Sequence, residues 1–98
     1  MKGKDLRRRV LDNVARLEPD ILRWSEYLYR NPELGNEEFK AVAFLRDVLE
    51  EHSFEFQGQV AGLRTAFVAR SGDGEPRVAY LAEYDALPEI GHGCGHNF

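Results

Sequence analysis

A chain of 98 residues that is 43% hydrophobic and 31% charged has material for one modest core and no second domain. Its net charge of -4 argues against nucleic acid or an anionic membrane as a partner, because both demand a basic face. No stretch approaches the roughly 20 apolar residues of a spanning helix, and a single cysteine excludes an internal disulfide framework and suits a reducing, cytoplasmic setting.

In chain order, Leu6, Val10, Val14, Leu17, Ile21, Trp24 and Leu28 recur at steps of three and four, which predicts a helix with one apolar stripe. Pro19 is expected to kink this helix or to sit in the first turn of a restart. The basic run of Lys2, Lys4 and Arg7 to Arg9 reads as a solvated face at the helix start, and no apolar region follows it as a signal peptide would require. Trp24, Tyr27 and Tyr29 read as core and rim packing. Asn31-Pro32-Glu33-Leu34-Gly35 ends the helix, since the residue before proline is pushed out of the helical region. Asn36 is the expected N-cap of a second helix reaching about His52, with Glu37 and Glu38 at its positive end and a stripe of Phe39, Val42, Leu45 and Leu49.

The period then changes to two. Phe54 and Phe56, Thr65 to Ala69, and Val78 to Leu81 read as three strands. Ser71-Gly72-Asp73-Gly74-Glu75-Pro76 is too short for a crossover helix, so the last two strands are expected to pair as an antiparallel hairpin. Val78 to Ala82 is nearly continuous in apolar character, as an interior strand covered on both faces would be. The fold class expected is α/β, with two N-terminal helices followed by strands of a mixed sheet.

The chemistry concentrates at the end. His92-Gly93-Cys94-Gly95-His96 alternates borderline and soft ligands with glycine, downstream of Glu83, Asp85 and Glu89, and such crowding points to a transition metal. In an extended segment residues two apart project to the same side, and glycine lets the backbone approach an ion closely. These residues do not close a four-ligand site by themselves, so further ligands come from the chain's carboxylates or from residues outside it.

Asn31-Pro32-Glu33-Leu34-Gly35 with Glu37-Glu38, Thr65-Ala66-Phe67, Glu83-Tyr84-Asp85-Ala86-Leu87-Pro88 and Gly91-His92-Gly93-Cys94-Gly95-His96-Asn97 together resemble the N-terminal part of the dinuclear metallo-amidohydrolases. That family includes carboxypeptidase G, aminoacylases and hippurate hydrolases. The branch most resembled is that of the aminobenzoyl-glutamate hydrolases and the β-alanyl-lysine dipeptidases. The resemblance implies that Cys94 and His96 are metal ligands and that Asp85 orients a ligand at the catalytic centre. Glu83 and His92 receive no assigned role from it, and Gly93 stands where many relatives have alanine. It further implies a pair of divalent ions, zinc, manganese or cobalt, that polarises an amide carbonyl and acidifies water while a glutamate moves the proton.

The substrates implied are N-acyl amino acids or small dipeptides, and the parent protein is expected to be a homodimer. Residues 1–98 would be an N-terminal portion of a three-layer αβα catalytic domain of the zinc-exopeptidase type. The dimerisation domain, the proton-transferring glutamate and the remaining ligands lie outside this portion, so the chain alone is expected to hydrolyse no amide. Two helices and three short strands would also leave a sheet face and an edge uncovered, which a remainder of the protein would cover. Two other classes compete with the hydrolase. One is a binding module that holds a structural metal through His92, Cys94 and His96, and the other is an interaction module that docks its open sheet on a partner.

Overall fold

The computed structural model describes residues 3–95, 97 and 98. Helix α1 runs from Gly3 to Arg30 and carries Pro19 inside it, so the second helical start considered at Pro19 does not occur. The helix is about 42 Å long at 1.5 Å per residue, close to the 48 Å long axis of the molecule. Its first half therefore extends beyond the body. Leu6, Val10, Leu11 and Val14 stay exposed, while the same stripe becomes buried lower down at Leu28. Asn31 closes the helix by donating from Nδ2 to the Tyr27 carbonyl at 2.8 Å, and Pro32 prevents continuation.

Helix α2 spans Phe39 to Glu51. The expected N-cap, Asn36, is not the cap. It lies in a left-handed turn with φ of 67°, and Glu38 occupies the cap position without a side-chain cap bond of its own. The capping oxygens come from Glu33, whose carboxylate accepts from the Lys40 N–H at 3.0 Å and the Ala41 N–H at 2.8 Å. A carboxylate is well placed there, because it satisfies orphan donors and meets the positive end of the helix dipole. The turn at Asn36 is what brings Glu33 back over the helix start. The helices touch through Tyr27 stacked on Phe44, with ring centroids 4.0 Å apart, and through Trp24 edge-on to His52 at 5.7 Å. His52 also binds the Val48 carbonyl through Nδ1 at 2.8 Å.

Strands β1, Glu55 to Gly58, and β2, Phe67 to Arg70, form a two-stranded antiparallel sheet with Phe56 opposite Ala69. They are joined by residues 59–66, which contain a short 3-10 turn at Val60–Gly62. The pair is held on one face by Phe56 stacked on Phe67 at 4.9 Å, and Arg46 of α2 lies over the Phe56 ring at 5.2 Å.

The α/β class is observed, but the third strand is not. Val78 to Ala82 forms no ladder and is open to solvent, with Val78 75%, Tyr80 91% and Leu81 99% exposed. The hairpin expected across Ser71 to Pro76 is therefore absent as well, and β2 pairs with the strand before it. The reason is that a run of apolar β-formers sets only what a segment could be if covered on both faces. Among the described residues no strand or helix covers this one. The described sheet is thus antiparallel rather than mixed, although one isolated parallel bridge joins Leu34 to Ala86.

The buried hydrophobic residues described are Leu28, Ala41 and Ala86, and the buried polar ones are Ser25, Glu38, Thr65 and His92. No described helix is long and apolar enough to cross a membrane.

Candidate functional site

The described part of the site, residues 84–95, 97 and 98, is joined to the turn before α2 at Glu33 and to the lower half of α1 at Ser25. Tyr84 is its first anchor. The ring stacks on Phe67 at 5.7 Å, and the hydroxyl donates to the Thr65 carbonyl. Thr65 in turn donates from Oγ1 to Glu38 Oε1 at 2.8 Å. This polar chain, with Thr65 and Glu38 buried and Tyr84 half-buried, joins the segment to the N-terminus of α2, and it pairs the Thr65 hydroxyl where an unpaired group would cost about 1–3 kcal/mol.

Burial, and after it the Glu38 carboxylate, push the Tyr84 hydroxyl up to about 12 from its ordinary 10. A group whose folded value is raised contributes stability that is complete below the unfolded value and is lost as pH rises through the folded value. The chain is therefore expected to lose stability between pH 10 and about 12. Urea unfolding across that range should show it, and Tyr84→Phe, which has nothing to ionise, should show a smaller alkaline loss from a lower starting stability. An alkaline profile unchanged by Tyr84→Phe would contradict the burial of this hydroxyl.

Asp85 is half-buried and bracketed by anchored neighbours, Tyr84 before it and Ala86 after it. Ala86 is buried, and its N–H donates to the Glu33 carbonyl at 2.7 Å. Glu33 thus serves twice, with its side chain on α2 and its main chain on the segment that carries Asp85. Glu83 is exposed, and both it and Asp85 have interaction partners within the chain.

The glycine-rich loop begins at a small antiparallel closure. Leu87 N–H donates to the Gly91 carbonyl at 2.8 Å and Gly91 N–H to the Leu87 carbonyl at 3.0 Å. Gly91 sits at a φ of 59°, a conformation that disfavours a side chain there, although Pro32, 3.6 Å from where a Cβ would lie, leaves ordinary room for one. Successive turns follow, with Gly93 N–H donating to the Ile90 carbonyl, Gly95 N–H to the His92 carbonyl and Phe98 N–H to the Gly95 carbonyl. An alanine at Gly93 would bring its Cβ 3.2 Å from the end of the Ile90 side chain, which can swing away.

Cys94 is a free thiol, exposed at the middle of these turns. His92 is the opposite case, 5% exposed, with Nδ1 buried and without a hydrogen-bond partner. His96 lies outside the described residues. Among the described residues no three of His, Cys, Asp and Glu converge on one point. The structure therefore brings Asp85 and Cys94 onto one continuous anchored segment but does not assemble a closed cage. A thiol, an imidazole and a carboxylate are donors of the kind a borderline transition ion takes, but the described residues do not gather three of them at one point.

Three contacts here were not legible as functional from residue types: the Glu33 cap, the Thr65–Glu38 bond and a bond from Asn97 to Ser25. Each joins positions far apart in sequence, and none leaves a periodic or spacing signal.

No protein-family model matches the chain. It is 34% identical to one of the p-aminobenzoyl-glutamate hydrolase chains of Escherichia coli strain K12, over 91% of this chain and 22% of that protein. It is 35% identical to Xaa-Arg dipeptidase of Mus musculus over 94% of this chain and 24% of that protein. A third relative is N-acetyl-L-cysteine deacetylase of Bacillus subtilis strain 168, 31% identical over 88% of this chain and 24% of that protein. The chain spans about a quarter of the length of these curated relatives.

Proposed function

Because the chain belongs to the amidohydrolase and peptidase family that contains p-aminobenzoyl-glutamate hydrolase, deacetylases and Xaa-Arg dipeptidase, we propose that it provides the ligand-bearing segment of a metal-dependent hydrolase. The substrates are N-acyl amino acids or small dipeptides, as the names of those relatives suggest. In this reading α1, α2 and the β1–β2 pair are the opening part of a three-layer αβα catalytic domain in a cytoplasmic homodimer.

The observation that carries the reading is the arrangement of residues 84–95, where anchored turns leave the Cys94 thiol exposed, downstream of a bracketed Asp85. Cys94 and His96 would hold a divalent ion, zinc, manganese or cobalt. When bound there, the ion polarises the scissile carbonyl and makes water a stronger acid. Asp85 orients a ligand, as carboxylates do for metal-binding imidazoles, and it can do so because Tyr84 and Ala86 fix the backbone on either side. Exposure of Cys94 lets an ion and a substrate reach it without unfolding the loop.

The test is a graft. Replacing the matching segment of the Escherichia coli relative by this chain should retain metal-dependent release of free amino acid from N-acyl substrates, and Cys94→Ser in the graft should remove at least about 100-fold of the rate together with bound metal. A folded, active graft indifferent to Cys94→Ser would contradict the proposal.

A further inference from the structure

Leu6, Val10, Leu11 and Val14 are each more than half exposed, on the half of α1 that extends beyond the body. A soluble monomer normally scatters such residues rather than lining them up. Here Val10, Val14, Leu17 and Ile21 follow one another at steps of four, three and four, the spacing at which a second helix packs its own side chains between them. Pro19, half a turn round from Val10, faces away from this seam.

Charge identifies the second helix. Residues 3–12 hold four cations and two anions, whereas residues 13–21 hold one cation and two anions. A parallel copy would set like charges side by side, with Arg7 against Arg7 in the seam. An antiparallel copy sets the basic half of each helix on the acidic half of the other. The partner this face fits has apolar residues at the same steps and charges in the opposite order, and a reversed copy of α1 has both.

We propose that two copies of the chain pair through residues 3–21 of α1, antiparallel and related by a two-fold axis near Asp12. Each copy then offers the same patch, so the contact is self-complementary and closes on itself. With Val10 of one copy beside Val14 of the other, Leu11 meets Leu11, and Lys4 and Arg7 flank Glu18 of the second copy. Residue 21 lies beside residue 3 in this register, so each body, which begins near Trp24 where the helix first touches His52, sits past the start of the other helix and the two do not collide. The contact is independent of the reading of the site.

The experiment is sedimentation velocity of the whole chain from about 1 to 300 μM, since a contact of about five helical turns falls at the small end of specific interfaces. A monomer–dimer equilibrium is expected. Val10→Asp, a change at an exposed position, should raise the dissociation constant at least about 10-fold, with the circular dichroism of the monomer unchanged. Lys4→Glu and Glu18→Lys should each raise it about 3- to 10-fold at low salt, and the two together should return it to the parent value, because the exchanged charges meet again across an antiparallel pair. The charge pair decides should Val10→Asp disturb the helix. A chain that stays monomeric over the whole range overturns the proposal. A dimer that survives Val10→Asp also overturns it, and loss of that dimer in Leu81→Asp would place the contact at the exposed run of Val78 to Ala82 instead. A dimer that Val10→Asp dissolves, but in which Lys4→Glu and Glu18→Lys do not compensate each other, overturns the antiparallel register.

Discussion

Leu28→Ala is expected to destabilise the chain by about 2–5 kcal/mol, the range for emptying a buried leucine site. Leu28 is 6% exposed, and the other buried hydrophobic residues described are two alanines, Ala41 and Ala86, which bury little area each. One leucine therefore carries a large share of the apolar burial, and for a domain of this size each kcal/mol moves the midpoint by about 4–8 °C. Thermal and urea unfolding should show a fall on the order of 10 °C or more, or no cooperative transition at all. Leu81→Ala is the control. At 99% exposure its side chain has no packing to lose, so the change should stay within about 0.5 kcal/mol. Equal losses at the two positions would show that Val78 to Ala82 is packed, against the exposure seen there.

Leu28 and Leu81 look alike in the sequence, and the difference between them marks the limit of what the sequence made legible. Both helices were readable because a step of three and four is a local signal that survives without knowledge of the partner. The same signal did not tell the covered half of the α1 stripe from the exposed half at Leu6, Val10 and Val14, since periodicity names a face and not what lies against it. The strand expected at Val78 failed for that reason. The hairpin failed because the turn residues at 71–76 set only where a chain can reverse. The actual pairing of β2 with β1 is stabilised by Phe56 on Phe67 and by contact with α2 through Arg46. In the site, the sequence offers Cys94 and His96 only as residue types at ligand spacing. The fastening of the segment around Cys94 was not readable, because Glu33 to α2, Thr65 to Glu38 and Asn97 to Ser25 are pairings across the fold.

Loss of zinc binding on replacement of Cys94 or His96 is the second large effect expected. Both groups must give up protons to ligate, so zinc should bind more tightly as pH rises. Binding should also be far weaker than that of a closed four-ligand site, which ties up the metal from all sides. The helices and the β1–β2 pair are held by contacts that involve neither residue, among them Tyr27 on Phe44 and Phe56 on Phe67. Folding should therefore be the same with and without the ion.

Calorimetric titration with zinc at two pH values, on the parent chain, Cys94→Ser and His96→Ala, tests the metal assignment most directly. Weak binding that strengthens at the higher pH and falls at least about 100-fold in each variant is the predicted result. Tight binding that is indifferent to pH and survives both substitutions would contradict it.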